Sequence, residues 1–416
     1  MASALLFSLV LLLLQAAAAG GAPAAPQLPR SELAAVFRVM ADLLGDPAWP
    51  QLHPRPCTDT PWPGLQCEVS PDDARVLRAT RLHFGPDVAT PPCRPGASLD
   101  AASLRGLPHL KTLSLFGCFA DDDHGVELPP ALFAAASAPS SLEQIVLKSN
   151  PGLRGPIPAT LGGLRSLRVL SLSQNGFRGG IPRELGALAA LQELDLSYNN
   201  ISGQLGSLRE LVFLDLSHNG LSGPLPGSLA NLSSLQYLLL QDNPLGTAVP
   251  AGVVGALRRL QVLGLSGCGL TGPIPRATFA SLGSLTALSL DRNRLDGPIP
   301  ATLAALPHLG QLNLSQNRLA GEIALPGEFV ARLGRRLDVR GNDELCVGRG
   351  LQGSGGYHLG APPCADGRDG EGSTERSGAA AAAVAAGGGR RGYGYGYGSV
   401  GVLACHVFVS SLVFRL

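Results

Sequence analysis

Three aspartates stand in leucine-rich segments where paired carboxylates could serve as the acid and base of a glycosidase: Asp195, Asp215 and Asp291. We interpret them as solvated polar residues on a binding face, because the eight histidines are scattered and no tight Cys/His cluster is present. The glycine-rich residues 387–398 neither follow a predicted strand nor open a helix, so they are not a phosphate loop. The sequence therefore predicts a protein that is not an enzyme and has no cofactor and no metal.

The charge balance excludes another class of function. Lysine and arginine number 32 and aspartate and glutamate 31, which gives a net charge of +1. Binding to nucleic acid through its phosphates would require a basic stripe, so we expect no nucleic-acid partner. The 54 glycines and 34 prolines approach the level of disordered chains, yet 45% of the residues are hydrophobic. Both facts are compatible only if glycine and proline recur at fixed places.

They do recur, because the chain contains ten copies of the pattern L-x-x-L-x-L-x-x-N/C. Most copies follow one another after 24 or 25 residues, with a longer step of 32 before Asn150 and a shorter step of 20 before Asn219. Each copy predicts one short parallel strand whose leucines enter a core, while the residues between them face solvent on the concave side. The terminal Asn or Cys is expected to bond unpaired backbone groups of its own and the neighbouring turn. These terminal residues are Cys118, Asn150, Asn175, Asn199, Asn219, Asn243, Cys268, Asn293, Asn317 and Asn342.

The second half of the turn carries the consensus L-x-G-x-I-P, as in residues 153–158 and 295–300. Glycine permits a backbone conformation closed to other residues, and proline ends strand pairing. Over about residues 104–342 this consensus resembles the plant-specific class of extracellular leucine-rich repeats. The resemblance implies an α/β solenoid, a horseshoe of about ten repeats with a parallel β-sheet on the concave face and disulfide-bonded caps.

The N-terminal linker and cap are expected within residues 20–103. The spacing of apolar residues predicts an amphipathic helix from Ser31 to Leu44, with Ser31 as its N-cap and Gly45 as its stop. The predicted apolar face consists of Leu33, Phe37, Met40 and Leu44. Residues 76–82 are the expected strand of this cap, and residues 343–364 form the C-terminal cap.

Eight cysteines in a secreted chain favour disulfide pairing. The resemblance to plant repeats implies one bridge in each cap, Cys57 with Cys67 and Cys346 with Cys364. Cys93 has two possible states. It bridges to Cys118, or it stays free while Cys118 packs as Cys268 does.

The two ends of the chain predict targeting and anchoring. Residues 1–19 combine an apolar run with small residues before Gly20, which predicts a cleaved secretory signal; an uncleaved membrane anchor is the alternative. After a disordered stalk at 365–389, residues 390–416 combine a polar spacer with a terminal apolar segment of 17 residues. With Gly387 as the attachment residue, these parts form a signal for a glycosylphosphatidylinositol (GPI) lipid; a short transmembrane helix is the alternative. Either anchor would hold the protein on the extracellular, cell-wall side of the plasma membrane.

Three N-x-S/T sequons begin at Asn200, Asn231 and Asn313. Asn231 is expected on the outer side of its turn. Asn313 lies between two core leucines, which places it on the concave face. At each site, glycosylation and an unused sequon remain the two readings.

A cluster of polar and aromatic residues marks the predicted ligand-binding surface. It occupies three consecutive turns around the shortened one, at positions expected to face solvent on the concave side. Solvent-facing aromatics among charges are typical of protein-recognition surfaces, although ordinary variation between repeats is the alternative. The predicted residues are Glu193, Asp195, Tyr198, Phe213, Asp215, His218, Tyr237, Leu239 and Gln241.

The early Cys-Trp cap, the G-x-I-P repeats and runs such as residues 194–200 are similar to plant leucine-rich repeat receptor-like proteins without a kinase. Within them the chain most resembles the Piriformospora indica-insensitive protein 2 group, which is related to Too Many Mouths. The resemblance implies a non-enzymatic cell-surface receptor or co-receptor for a peptide, protein or microbial ligand, acting in plant–microbe interaction or development. Signalling would require a leucine-rich repeat receptor kinase as partner. The alternative is a secreted inhibitor of microbial polygalacturonase, a family with about ten such repeats that lacks the long tail after Cys364.

Overall fold

The computed structural model describes residues 25–86, 91–119, 125–134, 141–202, 208, 210–352 and 359–365. All of them belong to one compact unit, Met1–Ala365. The predicted signal peptide, the stalk beyond residue 365 and the predicted anchor with Gly387 lie outside the described residues. Among the described helices, none has the length and apolar character needed to cross a membrane.

Short strands dominate the secondary structure. The strands are β1 (Leu65–Val69), β2 (Leu77–Phe84), β3 (Thr112–Phe116), β4 (Val126–Glu127), β5 (Gln144–Lys148), β6 (Asn150–Gly155), β7 (Val169–Ser171), β8 (Asn175–Gly179), β9 (Glu193–Asp195), β10 (Asn200–Ile201), β11 (Phe213–Asp215), β12 (Tyr237–Leu239), β13 (Val262–Gly264), β14 (Thr271–Pro273), β15 (Ala287–Ser289), β16 (Arg294–Gly297), β17 (Gln311–Asn313), β18 (Arg318–Glu322), β19 (Leu337–Asp338) and β20 (Glu344–Cys346). The α-helices are α1 (Arg30–Leu44), α2 (Trp49–Leu52), α3 (Ala101–Arg105), α4 (Ala251–Val254), α5 (Gly327–Leu333) and α6 (Arg349–Gln352). Short 3₁₀ helices cover Pro130–Phe133, Ala159–Gly163, Arg183–Ala187, Gly227–Asn231, Phe279–Ser281, Ala301–Ala305 and Gly334–Arg336.

The main sheet has twelve strands in the order β1-β2-β3-β5-β7-β9-β11-β12-β13-β15-β17-β19. Only the first pair, β1 with β2, is antiparallel; each later neighbour pairs in parallel, as β9 and β11 do. The ten strands from β3 onward correspond to the ten copies of the leucine pattern. Their leucines form the core, and Leu194, Leu214 and Leu238 are fully buried. The predicted solenoid with a parallel sheet is therefore confirmed.

The asparagine at the end of each strand bonds the backbone of two turns, as the sequence predicted. Asn243 Nδ2 donates to the carbonyl oxygens of Leu216 at 2.8 Å and Leu240 at 2.9 Å, and its Oδ1 accepts from Leu221 N at 3.0 Å. In the seventh copy the Cys268 thiol takes this place and donates to the Leu240 oxygen at 3.1 Å. These bonds satisfy backbone groups that the bend would otherwise leave buried and unpaired.

The residue just before each terminal Asn or Cys has a left-handed backbone in all ten turns. We call these ten residues the left-handed row; they are Gly117, Ser149, Gln174, Tyr198, His218, Asp242, Gly267, Arg292, Gln316 and Gly341, with φ between 54° and 72°. Glycine is the residue that adopts this conformation without strain, yet seven positions carry a side chain. The fold thus places one residue per turn, seven of them with a side chain, in register along one edge of the main sheet.

The glycine-proline halves of the turns form two further sheets, each of four strands. One has the order β10-β8-β6-β4 and the other β14-β16-β18-β20. The sequence predicted only short extended pieces here, whereas the structure pairs them between neighbouring turns. The two sheets are separated between Ile201 and Thr271, a stretch that includes the shortened turn.

The N-terminal cap differs from the prediction in the start and orientation of its helix. Ser31 lies inside α1 and is not its N-cap, because the helix begins at Arg30 after Pro29 and has no side-chain cap. Gly45 ends α1 with φ 66°, as expected. The predicted Leu33 and Phe37 are only half-buried, while the buried face includes Glu32.

A partly buried ion pair accounts for this orientation. Glu32 Oε1 accepts from Arg78 Nη1 at 2.6 Å, and its Oε2 accepts from Ala79 N at 3.1 Å. These bonds attach α1 to β2 through a polar residue of the helix, which the apolar pattern did not reveal. The cap strand β2 extends to Phe84, and its antiparallel partner β1 was not predicted.

Two disulfides close the caps, and a third joins the N-terminal cap to the first repeat. The two bridges implied by the family resemblance are formed, Cys57–Cys67 and Cys346–Cys364. Cys93 is not free but bonded to Cys118, which settles the alternatives that the sequence left open. Cys268 is a free, buried thiol.

Candidate ligand-binding surface

Strands β9, β11 and β12 bring the predicted binding residues together on the concave side of the main sheet. Their register places Glu193, Phe213 and Tyr237 side by side in one row. A second row consists of Asp195, Asp215 and Leu239. Tyr198 and His218 belong to the left-handed row. Gln241 is not part of that row but directly precedes one of its members, Asp242. We call the nine predicted residues the central surface.

Four of these nine side chains are less accessible than predicted. Glu193, Asp195, Asp215 and Leu239 were expected to face solvent, but each exposes less than a tenth of its surface. They lie between neighbouring strands whose side chains cover them, which accounts for the low exposure of polar groups on this face. Tyr198 is 43% exposed, and the remaining four side chains are half-buried.

The three carboxylates of the central surface differ in their hydrogen bonds. Asp195 accepts from Ser171 Oγ at 3.1 Å and from Ser197 Oγ and N at 2.7 and 3.0 Å. Asp215 accepts from Ser217 N at 2.9 Å. The Glu193 carboxylate has no hydrogen bond or ion pair with any other part of the described chain, although the side chain is 92% buried.

Burial raises the pKa of two of these carboxyl groups. The pKa of Glu193 rises from its ordinary 4.5 to about 7, mainly through loss of hydration and further through the charge of Asp195. The pKa of Asp215 rises from 3.8 to about 7 for the same two reasons, against the opposing effects of the Ser217 hydrogen bonds and the Lys148 charge. Both groups therefore exchange protons near neutral pH.

Two aromatic pairs flank the carboxylates. The Phe213 and Tyr237 rings lie 5.9 Å apart at an angle of 41°. The rings of Tyr198 and His218 are stacked, with centroids 4.0 Å apart and planes within 17°. Such partly exposed aromatic pairs offer apolar contact area with few side-chain torsions to restrict, which suits recognition of another chain.

The left-handed row continues beyond His218 with charged residues that were not predicted. His218 Nε2 lies 3.5 Å from Asp242 Oδ2, and Asp242 in turn pairs with Arg292. Burial lowers the pKa of His218, partly offset by the charge of Asp242, while Arg292 lowers it further. The sequence could have identified Asp242 and Arg292 by their position. Each directly precedes the terminal Asn of its repeat, as Tyr198 and His218 do in theirs.

The three aspartates considered as catalytic groups do not come together. Asp195 and Asp215 are register partners on adjacent strands. Asp291 instead accepts hydrogen bonds from the hydroxyls of Ser266 and Ser289, several strands away. Across the described part of the chain, no group of three or more His, Cys, Asp or Glu side chains could hold a metal ion.

The predicted glycosylation residues fall in three different settings. Asn200 and Asn231 are exposed, the first in β10 and the second at the end of a 3₁₀ helix. Asn313 is half-buried in β17 on the concave face, and its Oδ1 accepts from Ser315 Oγ at 2.8 Å and Ser315 N at 3.2 Å. Glycan attachment at the three residues stays a prediction.

Comparison with known proteins agrees with this architecture. A family model described as leucine rich repeat matches residues 140–201 and 251–319, and a second model of that description matches residues 210–232. Receptor like protein 29 of Arabidopsis thaliana is 37% identical over 149 residues, 36% of this chain and 30% of that protein. Protein TOO MANY MOUTHS of the same plant is 35% identical over 138 residues, 32% of this chain and 26% of that protein. The described repeats therefore have the leucine-rich repeat fold, and the chain is similar to plant receptor-like proteins.

A third relative belongs to the group that the repeats resembled. Piriformospora indica-insensitive protein 2 of Arabidopsis thaliana is 31% identical to this leucine-rich repeat protein over 155 residues, 36% of this chain and 34% of the relative. The matches thus span about a third of the length of these curated relatives or less.

Solved structures of plant ectodomains share the fold. The leucine-rich repeat ectodomain of the membrane receptor kinase GASSHO1/SCHENGEN3 from Arabidopsis thaliana, in complex with CASPARIAN STRIP INTEGRITY FACTOR 2, superimposes with a TM-score of 0.60 and 29% identity, covering 76% of this chain and 36% of that one. The PEPR1–AtPEP1 structure gives a TM-score of 0.53 at 25% identity, with 77% and 49% covered.

Proposed function

We propose that this leucine-rich repeat protein is a cell-surface receptor or co-receptor that recognises a peptide ligand through the central surface. The observation that carries the proposal is the grouping of Phe213, Tyr237, Tyr198 and His218 on three adjacent turns. The likeness to the GASSHO1/SCHENGEN3 ectodomain, itself solved with a bound factor, supports a role in ligand recognition.

Signalling and location are part of the same proposal. The protein acts with a leucine-rich repeat receptor kinase, in plant–microbe interaction or development. It reaches the extracellular side of the plasma membrane through its signal peptide and is held there by a lipid on Gly387. A glycan on Asn231 would lie at the end of a 3₁₀ helix, outside the main sheet, whereas one on Asn313 would share the concave face with the central surface.

The test uses the purified protein and a phage-displayed library of random dodecapeptides. We expect selected peptides to bind the native protein and to lose binding to the double variant Phe213→Ala/Tyr237→Ala, whose melting temperature stays close to native because both rings are only half-buried. The matched control is Gln144→Ala/Gln311→Ala, since these residues occupy the same strand position in β5 and β17. Equal binding to both double variants, or selection of no peptide, would refute the proposal.

A further inference from the structure

We propose that Glu193, Asp195 and Asp215 form a subsite for one cationic side chain of the ligand, either a guanidinium or an ammonium group. The inference rests on the proposed function and specifies the chemistry of the peptide. It derives from the arrangement of three carboxylates on two adjacent strands. One of these carboxylates, that of Glu193, has no bonding partner among the described residues.

Asp195 and Asp215 alone would not define a binding site, because each has hydrogen bonds from its own turn. Glu193 supplies the independent observation. It lies two residues before Asp195 on β9, so its side chain points to the same concave side. The residue is 92% buried, and its carboxylate has no hydrogen bond or ion pair within the described chain. Its surroundings have removed much of the hydration of this carboxylate without supplying a partner, and a cation from the ligand would supply one.

The protein itself provides little positive charge to this place. Within the described residues, no arginine or lysine forms an ion pair with any of the three carboxylates. The nearby Lys148 acts on Asp215 only through its charge. Arg292 is already engaged by Asp242 and Asp291. The carboxylates therefore remain available to a cation that arrives with the ligand.

The aromatic neighbours suit the rest of such a side chain. Phe213 is the register partner of Glu193, and Tyr237 is the register partner of Phe213. The methylene stem of an arginine or lysine could pack along these rings while its charged end reaches the carboxylates.

Binding of a cation at this subsite must depend on pH. The neighbours of Glu193 are its register partners Val169 on β7 and Phe213 on β11, and Asp195 on its own strand, whose charge acts on it. Asp215 is the register partner of Asp195, and the charge of Lys148 acts on Asp215. A bound cation favours the ionised carboxylates, so binding releases protons where Glu193 and Asp215 are protonated in the free protein. Affinity should rise from about pH 5 to about pH 7 and change little above it.

The experiment compares a peptide selected on the native protein with a neutral copy of it. In the neutral copy an arginine is replaced by citrulline, its neutral isostere, or a lysine by norleucine. We expect the neutral copy to bind at least about tenfold more weakly at about pH 8. In the double variant Glu193→Gln/Asp215→Asn the charged and neutral copies should bind equally. The control is Asp296→Asn/Glu322→Gln, since both residues are exposed and lie on the other side of the turns.

The outcomes separate the two proposals. Two results would show that the cationic subsite is wrong while the peptide-binding surface stands. In the first, the selected peptides need Phe213 and Tyr237 but carry no basic residue. In the second, the charged and neutral copies differ in affinity as much for the Glu193→Gln/Asp215→Asn variant as for the native protein. If binding does not require Phe213 and Tyr237, the proposed surface fails and the subsite with it. An affinity of the charged peptide that does not rise between about pH 5 and about pH 7 also overturns the subsite.

Discussion

Arg292 forms a bidentate ion pair with Asp242, which lies two turns earlier in the solenoid. Arg292 Nη1 is 2.9 Å from Asp242 Oδ1, and Nη2 is 3.2 Å from Oδ2. The turn between them contributes Gly267 to the left-handed row. A Cβ atom on Gly267 would lie 2.3 Å from Asp242 Oδ1 and 3.4 Å from Arg292 Nη1. The missing side chain thus leaves the space through which the guanidinium reaches Asp242.

The variant Gly267→Ala should separate this ion pair and destabilise the protein. Alanine would adopt a left-handed backbone with φ near 64° and would also collide with the Asp242 carboxylate. We expect the free energy of unfolding to fall by about 2–3 kcal/mol, measured by chemical denaturation. The pKa of His218 should also change, since Asp242 and Arg292 both act on it; NMR titration of the imidazole would show this.

Gly117→Ala is the matched control for this prediction. Gly117 holds the same place in the first turn with φ 63°, and among the described residues a Cβ there would meet only Ser149 O, at 3.9 Å. Its substitution should cost only the backbone strain, about 1 kcal/mol. Equal losses in the two variants would show that the Asp242–Arg292 contact does not depend on the space at Gly267.

The raised pKa values of Glu193 and Asp215 predict that the protein becomes less stable as the pH rises from about 4.5 to about 7. Between the ordinary pKa of Glu193, 4.5, and its raised value of about 7, the folded protein binds a proton that the unfolded chain has released. The folded state is therefore favoured at the acid end of this interval, and this advantage is lost as pH rises to about 7. Glu193→Gln removes the effect. We expect it to stabilise the protein by about 1–3 kcal/mol above pH 7 and to change little near pH 4.

The measurement is the free energy of unfolding of both proteins across this pH range. Asp215→Asn should behave like Glu193→Gln, because burial also raises the pKa of Asp215 to about 7. Asp296→Asn is the control, since this side chain is exposed. A stability difference between Glu193→Gln and the native protein that stays constant with pH would contradict the prediction.

The terminal asparagines should contribute more to stability than the cysteine that replaces one of them. Asn243→Ala removes the amide donor from the Leu216 and Leu240 carbonyls, which keep Asn219 Nδ2 and the Cys268 thiol as donors, and it leaves the Leu221 amide without its acceptor. We expect a loss of about 3–5 kcal/mol by chemical denaturation. Burial raises the pKa of the Cys268 thiol to about 12, so it remains a protonated and weak donor. Cys268→Ala should cost only about 1–2 kcal/mol, and the reverse order of losses would count against this account.

The repeat was predictable from the sequence because its leucines recur at a fixed period. A single turn cannot bury Leu194 and Leu196 alone, so stacking of like turns is the solution that buries them, and Asn199 follows at the bend. The place of Phe213 beside Tyr237 was predictable for the same reason, since equal positions in neighbouring turns come into register.

Contacts between side chains of different turns, and the burial that results from them, were not predictable from the repeat pattern. The 92% burial of the Glu193 side chain depends on how closely neighbouring strands cover it, and the reach of Arg292 to Asp242 depends on the glycine between them. In the N-terminal cap, the pattern of apolar residues could not show that Glu32 turns inward, because its partner Arg78 lies on a strand distant in sequence. These features depend on distances that a repeat pattern does not encode.

The disulfide Cys93–Cys118 should stabilise the start of the solenoid. It closes a loop of 25 residues and joins the segment before α3 to the end of β3, where Cys118 N also donates to Asn150 Oδ1 at 2.7 Å. Loss of the bridge in Cys93→Ala/Cys118→Ala frees the unfolded chain, and we expect the free energy of unfolding to fall by about 3 kcal/mol. Cys268→Ala is the control for loss of a buried sulfur without loss of a bridge. Peptide mapping by mass spectrometry without reductant checks the linkage itself, and recovery of Cys93 as a free thiol in the native protein would contradict the pairing on which this prediction depends.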